Sequence, residues 1–464
     1  MRQILKQDSS VVLEMTRRNR RLPLIAAPLV IAPLVLSLSV PVRGADLAVK
    51  APRVKAPAAA PYLWTGWYIG ANAGIGVGQG QGTFGAETFN AMPAGAFGGG
   101  QLGFNYQFNS FVLGAETDIQ GAGISDTRTC LLHCIAGSSA SIDQKLNWFG
   151  TTRARVGLAN GPVLTYATAG VAYGGIETGV TTDMGAVNSA ITTTTKTGWT
   201  WGTGVEAALA GNWTAKAEYL YLSLGSTAAT SPATGTVGVK NQEQIFRGGI
   251  NYRFGPDQSA AIPPTYNWAG LFVGGTFGYG LGRNDSTFNA EAFFLSPRGF
   301  DAGGIVGYNW QFGSWVVGVD ADIQASTGSG YLTCVNLCSG PGATTIDQKL
   351  SWFGTVRGRL GYAVGPALFY ATAGGAFGEV KESLTQTSGG SASFSHSQSG
   401  FAVGGGIENK LDFFGLLGPN WTTRTEYLFV DLGSVSDTFS GQTLTSNLHE
   451  HVWRTVVSYK FGAP

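Results

Sequence analysis

Charge is scarce in this sequence. Lys, Arg, Asp and Glu make up 12% of the 464 residues, about half the share usual in soluble globular chains, and the two signs almost cancel at a formal net charge of +1. That balance removes the electrostatic case for a nucleic-acid partner. Long apolar runs are missing too: beyond the first forty or so positions nothing qualifies as a transmembrane helix. Histidine and cysteine occur four times each. What the chain has in excess is glycine, at 70 positions, about twice the usual share, and aromatics, at 12%. Low charge, many aromatics and no helix candidate point to hydrophobicity carried in a period of two.

The second conspicuous property is duplication. "IDQKLNWFGTTRARVG" begins at Ile142 and "IDQKLSWFGTVRGRLG" at Ile346, 204 positions later (346 − 142). The same spacing joins Trp64 to Trp268, Glu116 to Asp320 and Tyr166 to Tyr370, and it has slipped to 208 between "AEYLYLSLGS" at Ala217 and "TEYLFVDLGS" at Thr425. Two copies of so long a period mean duplicated domains and not a solenoid. The expected layout is a first repeat over 62–255, a linker over 256–265 and a second repeat over 266–462.

Ahead of the repeats, a basic stretch leads into an apolar core from Leu22 to Val40 and a small-residue exit around Gly44-Ala45. This reads as a cleaved signal peptide over 1–44, with Met15 as its natural start. Pro23, Pro28, Pro33 and Pro41 argue against the rival reading, a membrane-anchoring helix. Residues 45–61, rich in Pro and Ala, read as a disordered periplasmic lead-in.

Placed on a strand, the stretch from Asp143 to Leu158 puts Asp143, Lys145, Asn147, Thr151, Arg153 and Arg155 on one face. Leu146, Trp148, Ala154, Val156 and Leu158 take the other. Charged residues facing in and apolar residues facing out is the polarity of a transmembrane β-barrel. Eight such segments can be marked in each copy, joined by alternating tight turns and long polar loops, as in outer-membrane barrels with periplasmic turns and external loops. The fold class is therefore all-β, an antiparallel up-and-down transmembrane barrel. Two tandem eight-stranded barrels are favoured over one sixteen-stranded ring, because "GPDQSAAIPPT" between Phe254 and Tyr266 is far longer than neighbouring strands of one ring need.

"ADL" after the signal, followed by "WTGWYIGANAG", "NWFGTTRARVG", "YATAGVAYG", "AEYLYLSLG" and "NYRF", resembles the small outer-membrane β-barrel family of alphaproteobacteria. Members are known as outer-membrane immunogenic proteins or RopB-like porin family proteins. The resemblance runs through both copies. It implies a structural barrel in the bacterial outer membrane with exposed loops, and it implies neither enzyme activity nor catalytic residues.

Candidate chemistry is sparse. Cys130 with Cys134 and Cys334 with Cys338 fall in the same external loop of each copy, where an oxidising compartment favours one small disulfide per copy. A metal site lacks ligands: His133 has Leu337 as its counterpart. No histidine recurs between copies, so no nucleophile and base can be paired. His449 and His451, near the external end of the last strand, read as ordinary interfacial residues, with contact to lipopolysaccharide phosphates as the alternative.

The informative residues are the expected lumen charges. In the first copy they are Glu116, Asp118, Lys145, Arg153, Arg155, Lys216, Glu218 and Arg247. In the second they are Asp320, Asp322, Lys349, Arg357, Arg359, Arg424, Glu426 and Arg454. An internal salt-bridge plug is the favoured reading, since eight-stranded barrels are filled by side chains, and ion selectivity in a channel is the alternative. The expected function is non-enzymatic: an envelope barrel that displays loops for surface recognition. A porin-like channel through a single ring is the alternative, and a loop-borne adhesin or lipid-modifying enzyme stands third. No cofactor is expected. The expected partners are outer-membrane lipids, lipopolysaccharide and the barrel-assembly machinery, with the loop ligand left open. N-terminal sequencing of outer-membrane material should find the mature chain beginning at or near Ala45; an intact Leu22 to Val40 segment would contradict it.

Overall fold

The computed structural model describes residues 62–462, apart from 85–86, 132–139, 183–187, 232–234, 260–261, 263–264, 289–290, 336–343, 387–388, 412–416 and 440. The expected signal peptide and lead-in lie outside the described residues.

Each copy forms its own antiparallel sheet. The first comprises β1 (Gly66–Gly78), β2 (Gly80–Phe84), β3 (Glu87–Ala91), β4 (Ala94–Phe108), β5 (Phe111–Leu131), β6 (Ala140–Asn160), β7 (Val163–Thr182), β8 (Asn188–Ala208), β9 (Trp213–Ser231) and β10 (Gly235–Arg253). The second comprises β11 (Gly270–Phe288), β12 (Glu291–Leu295), β13 (Arg298–Phe312), β14 (Trp315–Ser326), β15 (Ser329–Val335), β16 (Thr344–Val364), β17 (Ala367–Gln386), β18 (Ser391–Lys410), β19 (Trp421–Phe439) and β20 (Gln442–Lys460). Some staves are interrupted. Pro93, which has no N–H to donate, separates β3 from β4, and Pro297 separates β12 from β13. Ten segments thus make eight staves in each copy.

The first stave of each copy pairs with the last. Tyr68 lies opposite Arg253 and Gly78 opposite Glu243 in the first copy, and Phe272 lies opposite Lys460 in the second. The chain therefore forms two closed eight-stranded barrels, and the sixteen-stranded ring is overturned. Such a ring needs β10 against β11 and β20 against β1, positions that closure already occupies. At one end the turns are tight: Gly161 and Gly365, at φ 57° and 54°, take the left-handed backbone that these two-residue links need.

The staves are long. β6 and β8 have 21 residues each and β9 has 19, which at about 3.3 Å per residue exceeds 60 Å, against an apolar membrane band of about 25 Å. The outward residues mark that band. Trp213 and Tyr221 face out on β9, eight positions or about 26 Å apart. Beyond Tyr221 the polarity reverses: Thr227 and Ala229 point inward, while Ser226, Ala228 and Thr230 are exposed. Irregular pairing around Gly225 (φ 75°) makes the reversal. On β6 an extra residue between Leu146 and Trp148 does the same, as does one between Leu350 and Trp352 on β16. Above these bulges the first barrel has an apolar cluster inside, including Ile142, Val180, Ala229 and Val237, and a polar exterior, as a protein standing in water requires.

The two barrels pack side by side through matching faces. Tyr219 stacks on Trp453 at 5.7 Å between ring centroids, and Phe246 packs on Tyr427 at 5.0 Å. Tyr219 and Tyr427 are equivalent in the two copies, as are Phe246 and Trp453, so one contact is made twice in opposite senses, as in an isologous dimer. At the mouth of the first barrel the linker is tied down: Gln258 accepts from the Leu63 N–H at 2.6 Å and Ser259 Oγ accepts from the Gly211 N–H at 2.8 Å.

A protease site inserted at Ser259 should give, after cutting in detergent, two fragments that each keep their own heat-dependent gel shift. Loss of both shifts on cutting is the behaviour of a single ring and would overturn the two-barrel architecture.

Candidate functional site

Alternation along five staves delivers charged side chains to one level of the first lumen. β5 supplies Glu116 and Asp118, β6 supplies Arg153 and Arg155, β8 supplies Glu206, β9 supplies Lys216 and Glu218, and β10 supplies Arg247, all buried. Arg153 is the hub. Its guanidinium lies 2.5 Å from Glu116, 2.9 Å from Asp118 and 2.9 Å from Glu218. Arg247 pairs with Glu218 at 2.5 Å and Asp118 at 2.9 Å, Lys216 with Glu116 at 2.8 Å, and Arg155 with Glu206 at 2.8 Å. Four cations meet four carboxylates. A neutral, mutually hydrogen-bonded set is the arrangement in which burying so many ions is tolerable.

The second lumen repeats the set. Arg357 lies 2.9 Å from Asp320, 3.1 Å from Asp322 and 3.1 Å from Glu426. Arg454 pairs with Glu426 at 2.6 Å and Asp322 at 2.9 Å, Arg359 with Glu408 at 2.7 Å, and Arg424 with Asp320 at 3.4 Å. Again four cations balance four carboxylates.

Aromatic rings finish the layer. The Tyr68 hydroxyl donates to Glu116 at 2.8 Å and accepts from Arg155 at 2.9 Å, and Tyr166 donates to Glu218 at 3.0 Å beneath the Arg155 guanidinium, 4.0 Å from its ring centre. Room for the two rings comes from glycine on the adjoining strands: a Cβ at Gly103 would stand 2.3 Å from the Tyr68 ring, and one at Gly204 2.5 Å from that of Tyr166. In the second copy Phe272 replaces Tyr68, while Tyr370 keeps the bond to Glu426 at 2.9 Å. Below the charges, the segment entering β1 folds across the barrel mouth. Trp64 is fully buried, its indole N–H donates to Gly161 O at 3.0 Å, and Arg253 lies over it at 5.1 Å. Tyr266 and Trp268 close the other barrel in the same cluster positions. Aromatic plug, charge layer and apolar upper cluster leave each lumen filled.

Two residues expected in the lumen are not there. Lys145 and Lys349 point outward and are exposed, Lys145 facing Glu177 at 3.4 Å. The bulges on β6 and β16 are the cause: each adds one residue between the lysine and the arginines below it, which turns everything above to the opposite face. The same shift takes Asp143 outward and brings Ile142 and Gln144 in. Conversely, Glu206 and Glu408 belong to the network although strand patterning alone did not single them out. A signal was present. Without them the named inward set carries more cations than carboxylates, and each follows a Gly-x-Gly alternation that points it inward.

The four cysteine side chains lie outside the described residues, and so does any pairing between them. His451 Nδ1 lies 2.8 Å from the Tyr427 hydroxyl, and His449 faces Asp431 at 3.3 Å. Among the described residues, no three His, Cys, Asp or Glu side chains are grouped as metal ligands.

Sequence comparison matches the outer membrane protein beta-barrel domain twice, over residues 50–254 and 258–461. The chain belongs to this family. A 31 kDa outer-membrane immunogenic protein of Brucella melitensis is 36% identical over 228 residues, covering 45% of this chain and 92% of its own. A 22 kDa outer membrane protein of Rhizobium leguminosarum bv. viciae is 31% identical over 206 residues, covering 44% and 83%. Among solved structures, neisserial surface protein A covers 41% of this chain and 98% of its own, at 16% identity and a TM-score of 0.23. Each of the two relatives spans about one barrel. The protein is an outer-membrane β-barrel of the bacterial envelope, standing among the membrane's lipids.

Arg153→Leu or Arg357→Leu should destabilise its barrel by about 3–5 kcal/mol, because four buried carboxylates are then left to three cations and one negative charge goes uncompensated. Lys145→Leu, outside the lumen, should change stability by no more than about 0.5 kcal/mol. Gel-shift melting in detergent measures both, and equal melting of the three variants would mean that the arginines stand in water.

Proposed function

We propose that the protein is a non-enzymatic structural element of the outer membrane whose two barrels hold external loops at the cell surface for recognition. The observation that carries this is the filled lumen. Among the described residues, four paired cations and four carboxylates per barrel lie under an apolar cluster and over an aromatic plug, an arrangement that supports a closed lumen and not an open channel. Within the two charge layers each carboxylate is paired with at least one cation, which suits a structural plug. The long staves carry the loops well above the apolar band, which suits display, and the relatives' description as immunogenic proteins supports it.

In this reading the protein reaches the membrane through a cleaved signal peptide and the barrel-assembly machinery. It has lipopolysaccharide for a neighbour, and Cys130 with Cys134 and Cys334 with Cys338 close small loop disulfides. Planar bilayers containing the purified full chain should show no porin-sized conductance steps. Stable porin-like conductance from the unmodified protein at ordinary voltages would overturn the proposal.

A further inference from the structure

The seam between the barrels has two sides, and they are not alike. On one side lies a groove of about 570 Å³, walled by Trp199, Trp201 and Tyr221 of the first barrel and by Phe277, Tyr279 and Phe300 of the second. Its volume falls within the range of small-molecule sites. Trp199, Trp201, Phe277 and Phe300 are each about half exposed. Phe277 stacks on Phe300 at 5.8 Å and Trp199 packs on Tyr221 at 5.2 Å, so each wall is held rigid by its own neighbours.

By the approximate two-fold relation of the copies, the opposite side should carry equivalent residues, and these are smaller. Ala73, Ile75 and Ala96 correspond to Phe277, Tyr279 and Phe300, and Val403 corresponds to Trp201. Phe401 and Phe429, the counterparts of Trp199 and Tyr221, keep that wall aromatic, so divergence after duplication has left two aromatic walls on one side of the seam and one on the other.

The outer rim of the groove is basic. Arg298 donates to Gln79, a lining residue, at 3.4 Å. Arg298 is exposed, and among the described residues its side chain bonds Gln79 and forms no ion pair with a carboxylate. Lys240 stands higher on the outward column of β10 that includes Gln244 and Phe246. No acidic side chain lines the groove. The counterpart position for Arg298 is Ala94, and on the opposite side Arg283 is paired with Asp126 at 3.3 Å and Asp285 at 2.8 Å, so the unpaired charge belongs to one side only.

We propose that this groove binds one phosphorylated, acylated glycolipid of the outer leaflet, its acyl chains against the aromatic walls and its phosphate at Arg298. A lipid-facing crevice in a bilayer is filled by hydrocarbon, and apolar walls below an unpaired guanidinium suit an amphiphile with an anionic head. The inference rests on the outer-membrane reading and names the lipid partner within it.

Native mass spectrometry of the full chain in detergent, titrated with diphosphoryl lipid A, should show one bound lipid per chain. Phosphatidylethanolamine should bind at least about tenfold more weakly, and Arg298→Gln should remove about that same factor, the loss of one charge-assisted contact. Trp201→Val combined with Phe300→Ala, which installs the residues of the other copy, should abolish the stoichiometric complex, whereas Arg283→Gln on the opposite side should leave it intact. Two equal sites, no complex, equal binding of phosphatidylethanolamine, or indifference to the groove variants would each overturn the proposal. A heat-dependent gel shift checks every variant for an intact barrel, and outer-membrane fractionation tests the localisation separately. A folded outer-membrane protein without the lipid would sink the groove alone.

Discussion

An eight-stranded barrel encloses a space about as wide as the side chains that line it, and that constraint governs most of this structure. An ion admitted to such a space has no water to turn to, so it must find an opposite charge at hydrogen-bond distance. Arg153 and Arg357, each touching three carboxylates, are the solution in the two copies. Size and charge are adjusted around them. Lys216 in one copy is Arg424 in the other, and Tyr68 is Phe272, yet the balance of four against four persists. Neutrality is thus kept while individual partners vary.

The length of the staves sets a second requirement. A strand that crosses the membrane and then continues into water must be apolar outside in one part and polar outside in the next. Strict alternation cannot do this without exchanging the residue types on both faces. A single bulged residue can, because one extra position turns every later side chain to the other side. The bulges on β6 and β16 and the irregular pairing at Gly225 on β9 sit where the outward aromatics end. Duplication then adds a seam. Two equivalent faces make the same aromatic contacts twice, and the residues beside them are free to diverge, which is how one side of the seam acquired Phe277, Phe300 and Arg298 against Ala73, Ala96 and Ala94.

By itself the sequence determined that the chain is a duplicated transmembrane β-barrel with paired charges inside. The repeat, the period of two and the alternation of tight and long connections are local signals, readable without partners. So are the inward positions of Glu116, Asp118, Arg153, Arg155, Lys216, Glu218 and Arg247, which lie on the regular stretches of their strands. Tertiary structure decided what depends on a neighbour. Closure of each copy on itself is a matter of which strand the first one meets. The outward turn of Lys145 and Lys349 follows from a bulge, which exists only as a mismatch in count between two paired strands and leaves no mark on one strand alone. Glu206 and Glu408 are legible as inward residues but become members of the network only because Arg155 and Arg359 reach them across the lumen. The seam is likewise a product of two surfaces, since outward apolar residues look the same in sequence whether they face lipid or a second barrel.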